Sequence, residues 1–160
     1  MMKVKKNDII DLWSATEGLL KEENSPAKFR YFIIKNRKII GSEIDALTAL
    51  VTPDPEYQEY ETKRISLATE LSDKDAQGKP KIDGKNFVIE THKEKFAESM
   101  ASLKESYKDQ IAVFQSKIDK YNSELDVEID FDGYKIKIDE VPDYVTTPVI
   151  ELFDKLNLIM

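Results

Sequence analysis

Lys28, Arg30, Lys35, Arg37 and Lys38 fall within residues 25–38, and no Asp or Glu stands among them. Phe29, Tyr31, Phe32, Ile33 and Ile34 are interleaved with these cations. Such alternation suits a helix that packs a core on one side and offers an anion site on another. Guanidinium forks supply paired donors to phosphate or carboxylate oxygens, ammonium groups add point charge, and a ring such as Tyr31 can stack a base. At helical spacing Tyr31, Lys35 and Lys38 share one face with Lys28 beneath, while Arg30, Ile34, Arg37 and Gly41 form a separate line. The expected anion- or ligand-binding set is therefore Lys28, Arg30, Tyr31, Lys35, Arg37 and Lys38. A purely structural account would pair the same block with Glu43 or Asp45, or with Glu56, Glu59 and Glu61 after Pro55.

Other reactive residues give weaker signals. Glu128, Asp130 and Asp132 followed by Gly133 resemble the opening of a calcium loop, with Asp139 where its final Glu would stand. Two residue types are wrong for that loop, and the alternating apolar residues demand strands, so a lysine-paired strand face is the better account. His92 is the single histidine and has no nucleophile pattern near it. With no cysteine, thiolate metal sites, thiol nucleophiles and disulfides are excluded. No Gly-x-Ser-x-Gly elbow or phosphate loop occurs. The reading is a protein that is not an enzyme and uses no cofactor or metal.

Composition sets the frame around these residues. A chain of 160 residues, 41% hydrophobic and 34% charged, can bury a core and fits one domain. A net charge of −7 disfavours general nucleic-acid binding and adhesion to anionic membranes. No apolar run approaches the roughly 20 residues of a membrane span, which points to a cytoplasmic protein.

Periodicity then supplies the elements. A first helix is expected after an Asn7 cap, carrying Ile9, Leu12, Trp13, Thr16 and Leu20. A second runs from Ser25-Pro26 to about Val51, with Phe29, Ile33, Asn36, Ile40, Ile44, Leu47 and Val51 in one stripe. Asn36 falls inside that stripe and, if buried, needs a hydrogen-bond partner. Thr52-Pro53-Asp54-Pro55 breaks the chain before a third helix to about Leu71. Asp83-Gly84 is read as the turn of a weak hairpin. From Thr91 to Leu125 the spacing from Phe96 through Tyr107 to Leu125 predicts one straight helix of roughly 50 Å, long enough to drive self-association. Asp126–Asp139 reads as a β-hairpin through Asp132-Gly133, with Asp130 opposite Lys135 and Glu128 opposite Lys137. Thr147-Pro148 starts a short closing helix. The expected fold is mainly α within the α+β class: a single elongated domain of antiparallel long amphipathic helices, a C-terminal β-hairpin and a short closing helix.

The order of these pieces resembles a family of small tailed-bacteriophage proteins of unknown function. The likeness is carried by Pro26-Ala27-Lys28-Phe29-Arg30-Tyr31, Ile34-Lys35-Asn36, Tyr60-Glu61 and Arg64-Ile65, the loop from Glu70 to Pro80, and the closing charged hairpin before an apolar C-terminal helix. It implies a viral protein acting in the host cytoplasm and brings no catalytic residues. The resulting expectation is a non-catalytic accessory protein, a homo-oligomer that neutralises a host component by binding a host protein or by sequestering a phosphorylated nucleotide signal. The alternative is a virion structural or assembly protein.

Overall fold

A computed structural model describes all 160 residues, Met1–Met160. The chain is mainly helical, with six α-helices and two small antiparallel sheets of two strands each. It forms two compact units: Met1–Val51 with Asp119–Met160, and Thr52–Ile118.

The first unit is built on β1 (Met2–Lys5), α1 (Lys6–Leu20), α2 (Ala27–Leu50), β4 (Glu128–Phe131) and α6 (Thr147–Lys155). Apolar side chains spaced three and four apart on α1 and α2 meet in its core. Ile9, Leu12, Phe29, Phe32 and Ile33 are buried there with Phe131, Ile136, Phe153, Leu156 and Leu158. The stripe predicted on α2 holds at Phe29, Ile33, Asn36, Ile40 and Leu47, all buried.

The predicted hairpin across residues 126–139 does not form. β4 pairs instead with β1, antiparallel, with Lys3 opposite Asp130 and Lys5 opposite Glu128. Lys3 Nζ lies 2.9 Å from Asp130, and Lys5 Nζ lies 2.8 Å from Asp126. The N-terminal lysines thus take the charge-pairing role assigned to Lys135 and Lys137, while Val4 and Phe131 enter the core. Ile136 lies beside the C-terminus, donating to the Leu158 carbonyl and accepting from the Met160 amide, both at 2.9 Å. A turn at Asp132-Gly133 reverses nothing here because both flanking segments have better partners elsewhere.

This sheet also corrects the start of α1. Asn7 is not the cap: the Lys6 and Asn7 amides donate to the carbonyls of Val127 and Leu125, each at 3.0 Å. Backbone from the segment leading into β4 therefore satisfies amides that a capping side chain would otherwise serve.

The second unit contains α3 (Pro55–Leu71), a loop with β2 (Ile82–Asp83) and β3 (Asn86–Phe87), α4 (Lys93–Ser106) and the first part of α5 (Lys108–Glu124). The β2–β3 hairpin turns on Gly84-Lys85, one residue later than the sequence suggested, and Gly84 takes a positive φ of 60°. The single long helix expected from Thr91 to Leu125 is two helices. Tyr107 leaves helical geometry at φ −117° and ψ 20°. Its hydroxyl donates to Glu59 at 2.8 Å and accepts from Lys63 Nζ at 2.6 Å, which draws the residue toward α3. Tyr57 stacks on Phe114 at 4.0 Å and Tyr60 stands 5.7 Å from Tyr107, so aromatic rings join the two helical layers. No residue of α4 or α5 is fully buried.

Candidate functional site

The six residues singled out on α2 take three different roles. Arg37 is an internal staple. Its guanidinium carbon lies 3.5 Å from the centre of the Trp13 ring, and Nη1 donates to the Trp13 carbonyl at 2.8 Å and to Thr16 Oγ1 at 3.1 Å. The Thr16 hydroxyl donates in turn to the Leu12 carbonyl at 2.7 Å. Arg30 Nη2 donates to the carbonyls of Glu22 and Glu23 at 2.8 and 3.3 Å, just beyond the end of α1, where partial negative charge collects. Lys28 forms an ion pair with Glu140. That hydrogen bond holds the Glu140 carboxyl below its ordinary pKa and raises the Lys28 ammonium. Arg30 and Arg37 thus hold α1 to α2, with backbone and hydroxyl oxygens as their partners.

Tyr31, Lys35 and Lys38 remain on the surface, and Lys35 and Lys38 form no ion pair. The two lysines line a groove of roughly 460 Å³ together with Ile39, Asp132, Gly133 and Tyr134. Tyr31 lies outside the lining, and its ring meets that of Tyr134 edge to face, 5.5 Å apart and 86° inclined. Lys35 Nζ stands 5.4 Å from the Tyr31 ring centre. Two ammonium groups face one carboxylate, Asp132, whose Oδ1 also lies 3.8 Å from the Met1 amino group. The wall is mixed in a useful way: aromatic faces and Ile39 offer apolar contact while the lysines attract negative charge.

Asn36 fixes the far wall from beneath. Its side chain is fully buried; Oδ1 accepts from the Tyr134 amide and Nδ2 donates to the Tyr134 carbonyl, both at 2.9 Å. Nδ2 also donates to the Phe32 carbonyl at 3.1 Å. Gly133 is equally constrained, because a Cβ there would collide with Leu158 and stand 2.7 Å from the Phe131 ring. Tyr134, Ile39 and Asp132 were not among the residues predicted for the site. Tyr134 lies 98 positions from Asn36, and only that long-range pairing brings it to α2.

The remaining sequence candidates stay apart from this groove. Asp130 is paired with Lys3, and Glu128 stands opposite Lys5 on the sheet. No three His, Asp or Glu side chains gather in a group that could hold a metal ion. His92 precedes α4 amid its own sequence neighbours, from Glu90 to Lys95.

Compared with known proteins, the chain matches no family model, no curated protein and no solved structure. The resemblance to small phage proteins therefore rests on the residues quoted for it. No helix is long and apolar enough to cross a membrane.

Proposed function

We propose that this is a non-catalytic binding protein whose Tyr31–Lys35–Lys38–Tyr134 groove receives a phosphorylated ligand, with a nucleotide as the best chemical fit. The observation that carries this reading is the contrast within one helix. Lys28, Arg30 and Arg37 are engaged by the fold, whereas Lys35 and Lys38 keep free charge beside two exposed tyrosines. Two ammonium groups suit phosphate oxygens, and the aromatic edges suit a base laid against Tyr31 or Tyr134. The net charge of −7 supports a small ligand over a nucleic-acid polymer, because a polymer would meet repulsion beyond the groove. The phage resemblance supplies a setting: a viral accessory protein in the host cytoplasm, removing a phosphorylated signal or occupying a host protein.

Calorimetric titration with pyrophosphate, AMP and ATP tests the site. Saturable binding of a nucleotide, weakened at least about tenfold by Lys35→Glu combined with Lys38→Glu, is expected. Absence of binding, or equal affinity in that variant, rejects the reading. Its biological half is tested by plaque formation on hosts with nucleotide-signalling immunity, which should fall when the gene is deleted. A second reading, a virion or assembly component, draws support from the partly covered helices of the second unit. Mass spectrometry of purified particles separates the two.

A further inference from the structure

The second unit carries an open groove of roughly 530 Å³ between α3 and α4, lined by Lys63, Ser66, Leu67 and Glu70 from one helix and Ser99, Ser102, Leu103 and Ser106 from the other. Each helix presents the same arrangement. On α3, Lys63 and Glu70 are equidistant from the midpoint between Ser66 and Leu67. On α4, Ser99 and Ser106 are equidistant from the midpoint between Ser102 and Leu103. Tyr60 beside Tyr107 and Tyr57 on Phe114 set the antiparallel register of the layers, and that register places the two midpoints at the same level. One twofold axis can therefore serve both helices.

We propose that the α3–α4 groove is closed by the same groove of a second copy, giving an antiparallel four-helix bundle. About such an axis α3 meets α3 and α4 meets α4, each reversed. Lys63 then faces Glu70 of the second copy, and the reciprocal pair forms on the other side of the axis. Leu67 projects over Ser66 of the second copy, and Leu103 over Ser102, so a large side chain meets a small one at each central position. Charge complementarity selects this occupant. The Glu70 carboxylate has no hydrogen bond or ion pair within its own chain. Lys63 gives one proton to Glu59 at 2.6 Å and one to the Tyr107 hydroxyl at 2.6 Å, and its ammonium has a third donor to give. The other face-to-face twofold, parallel to the helices, would lay α3 on α4 of the second copy, setting Lys63 beside Ser106 and Glu70 beside Ser99 and giving Glu70 no cation.

Size sets the strength. The 17 residues of α3 span about 25 Å, and two helices side by side are about 20 Å wide, so each copy offers about 500 Å². A total near 1,000 Å² is at the lower edge of specific interfaces, which predicts a dimer that dissociates in the micromolar range.

Sedimentation equilibrium of the full chain, with circular dichroism as a check on folding, tests the bundle. The wild type should be dimeric at about 100 µM, and Glu70→Lys should shift its dissociation constant upward at least about tenfold while leaving the helical signal unchanged. Added salt screens the like-charge contact with Lys63 that Glu70→Lys introduces and should narrow the gap between variant and wild type. A wild type that stays monomeric at that concentration overturns the proposal, as does a Glu70→Lys protein that dimerises normally or a gap that salt leaves unchanged.

Discussion

Asn36 acts toward Tyr134 as a neighbouring strand would, accepting from its amide and donating to its carbonyl at 2.9 Å each. The stretch around Tyr134 has no strand partner on that side, so a helical side chain supplies both halves of a ladder rung. The cost of burying a polar amide in an apolar stripe is met by three hydrogen bonds, and the result is a fixed wall for the groove. Replacing Asn36 with Leu keeps the branched shape but leaves the Tyr134 amide and carbonyl without partners. A loss of about 2–4 kcal/mol in urea unfolding is expected, since each stranded buried group costs about 1–3 kcal/mol. Ligand affinity should fall with it, because Tyr134 is no longer held.

Arg37 and Trp13 offer an optical test. Trp13 is the only tryptophan, so its emission reports directly on the guanidinium lying over its ring. Arg37→Lys keeps the charge but loses the flat stack and the aim of Nη1 at the Trp13 carbonyl. The expected results are a shifted emission spectrum and a loss of about 1–2 kcal/mol. Ligand binding in the groove should be unchanged, because Arg37 faces α1.

Gly133 tests the packing under the groove. Ala at this position meets Leu158 and the Phe131 ring, both buried, so neither can yield freely. Thermal unfolding should show a destabilisation of about 1–3 kcal/mol, the usual range for overpacking.

Acid should weaken the fold through carboxylates whose pKa values are depressed. Hydrogen bonds from Lys6 lower Glu124, those from Lys5 lower Asp126, and those from Lys28 lower Glu140. A depressed carboxyl contributes stability that is complete above its unfolded pKa and is lost as pH falls through the folded one. The urea midpoint should therefore be flat between about pH 5 and 9 and decline below about pH 4. Glu124→Gln should reduce that acid slope, and added salt should blunt the wild-type response because these groups are at least partly exposed. A Glu124→Gln profile superimposing on the wild type would show that this pair contributes nothing measurable.

The helices were largely legible before the fold. Pro55 and the Tyr57, Tyr60 and Leu71 pattern set α3 from Pro55 to Leu71, because proline at the first turn and apolar spacing are local properties. The demand that Asn36 find a partner was also readable; the identity of that partner was not. At residues 126–139 the local evidence misled. Val127, Ile129 and Phe131 alternate as a strand should, but alternation fixes which face is apolar, not which strand lies alongside. Lys3 and Lys5 match the acids of β4 as well as Lys135 and Lys137 do, and packing of Ile136 against the C-terminal segment decided between them.

The basic block shows the same division most clearly. Residue types and helical spacing determined that α2 would bury Phe29 and Ile33 and carry a ring of cations around them. Only the tertiary structure decided which cations stay free. Arg30 and Arg37 find oxygens on and just beyond α1, Lys28 finds Glu140, and Lys35 and Lys38 face the Tyr134 wall. The reason is physical: helix periodicity acts between residues three and four apart, whereas the partner of a long charged side chain depends on which distant backbone is brought within a few ångströms.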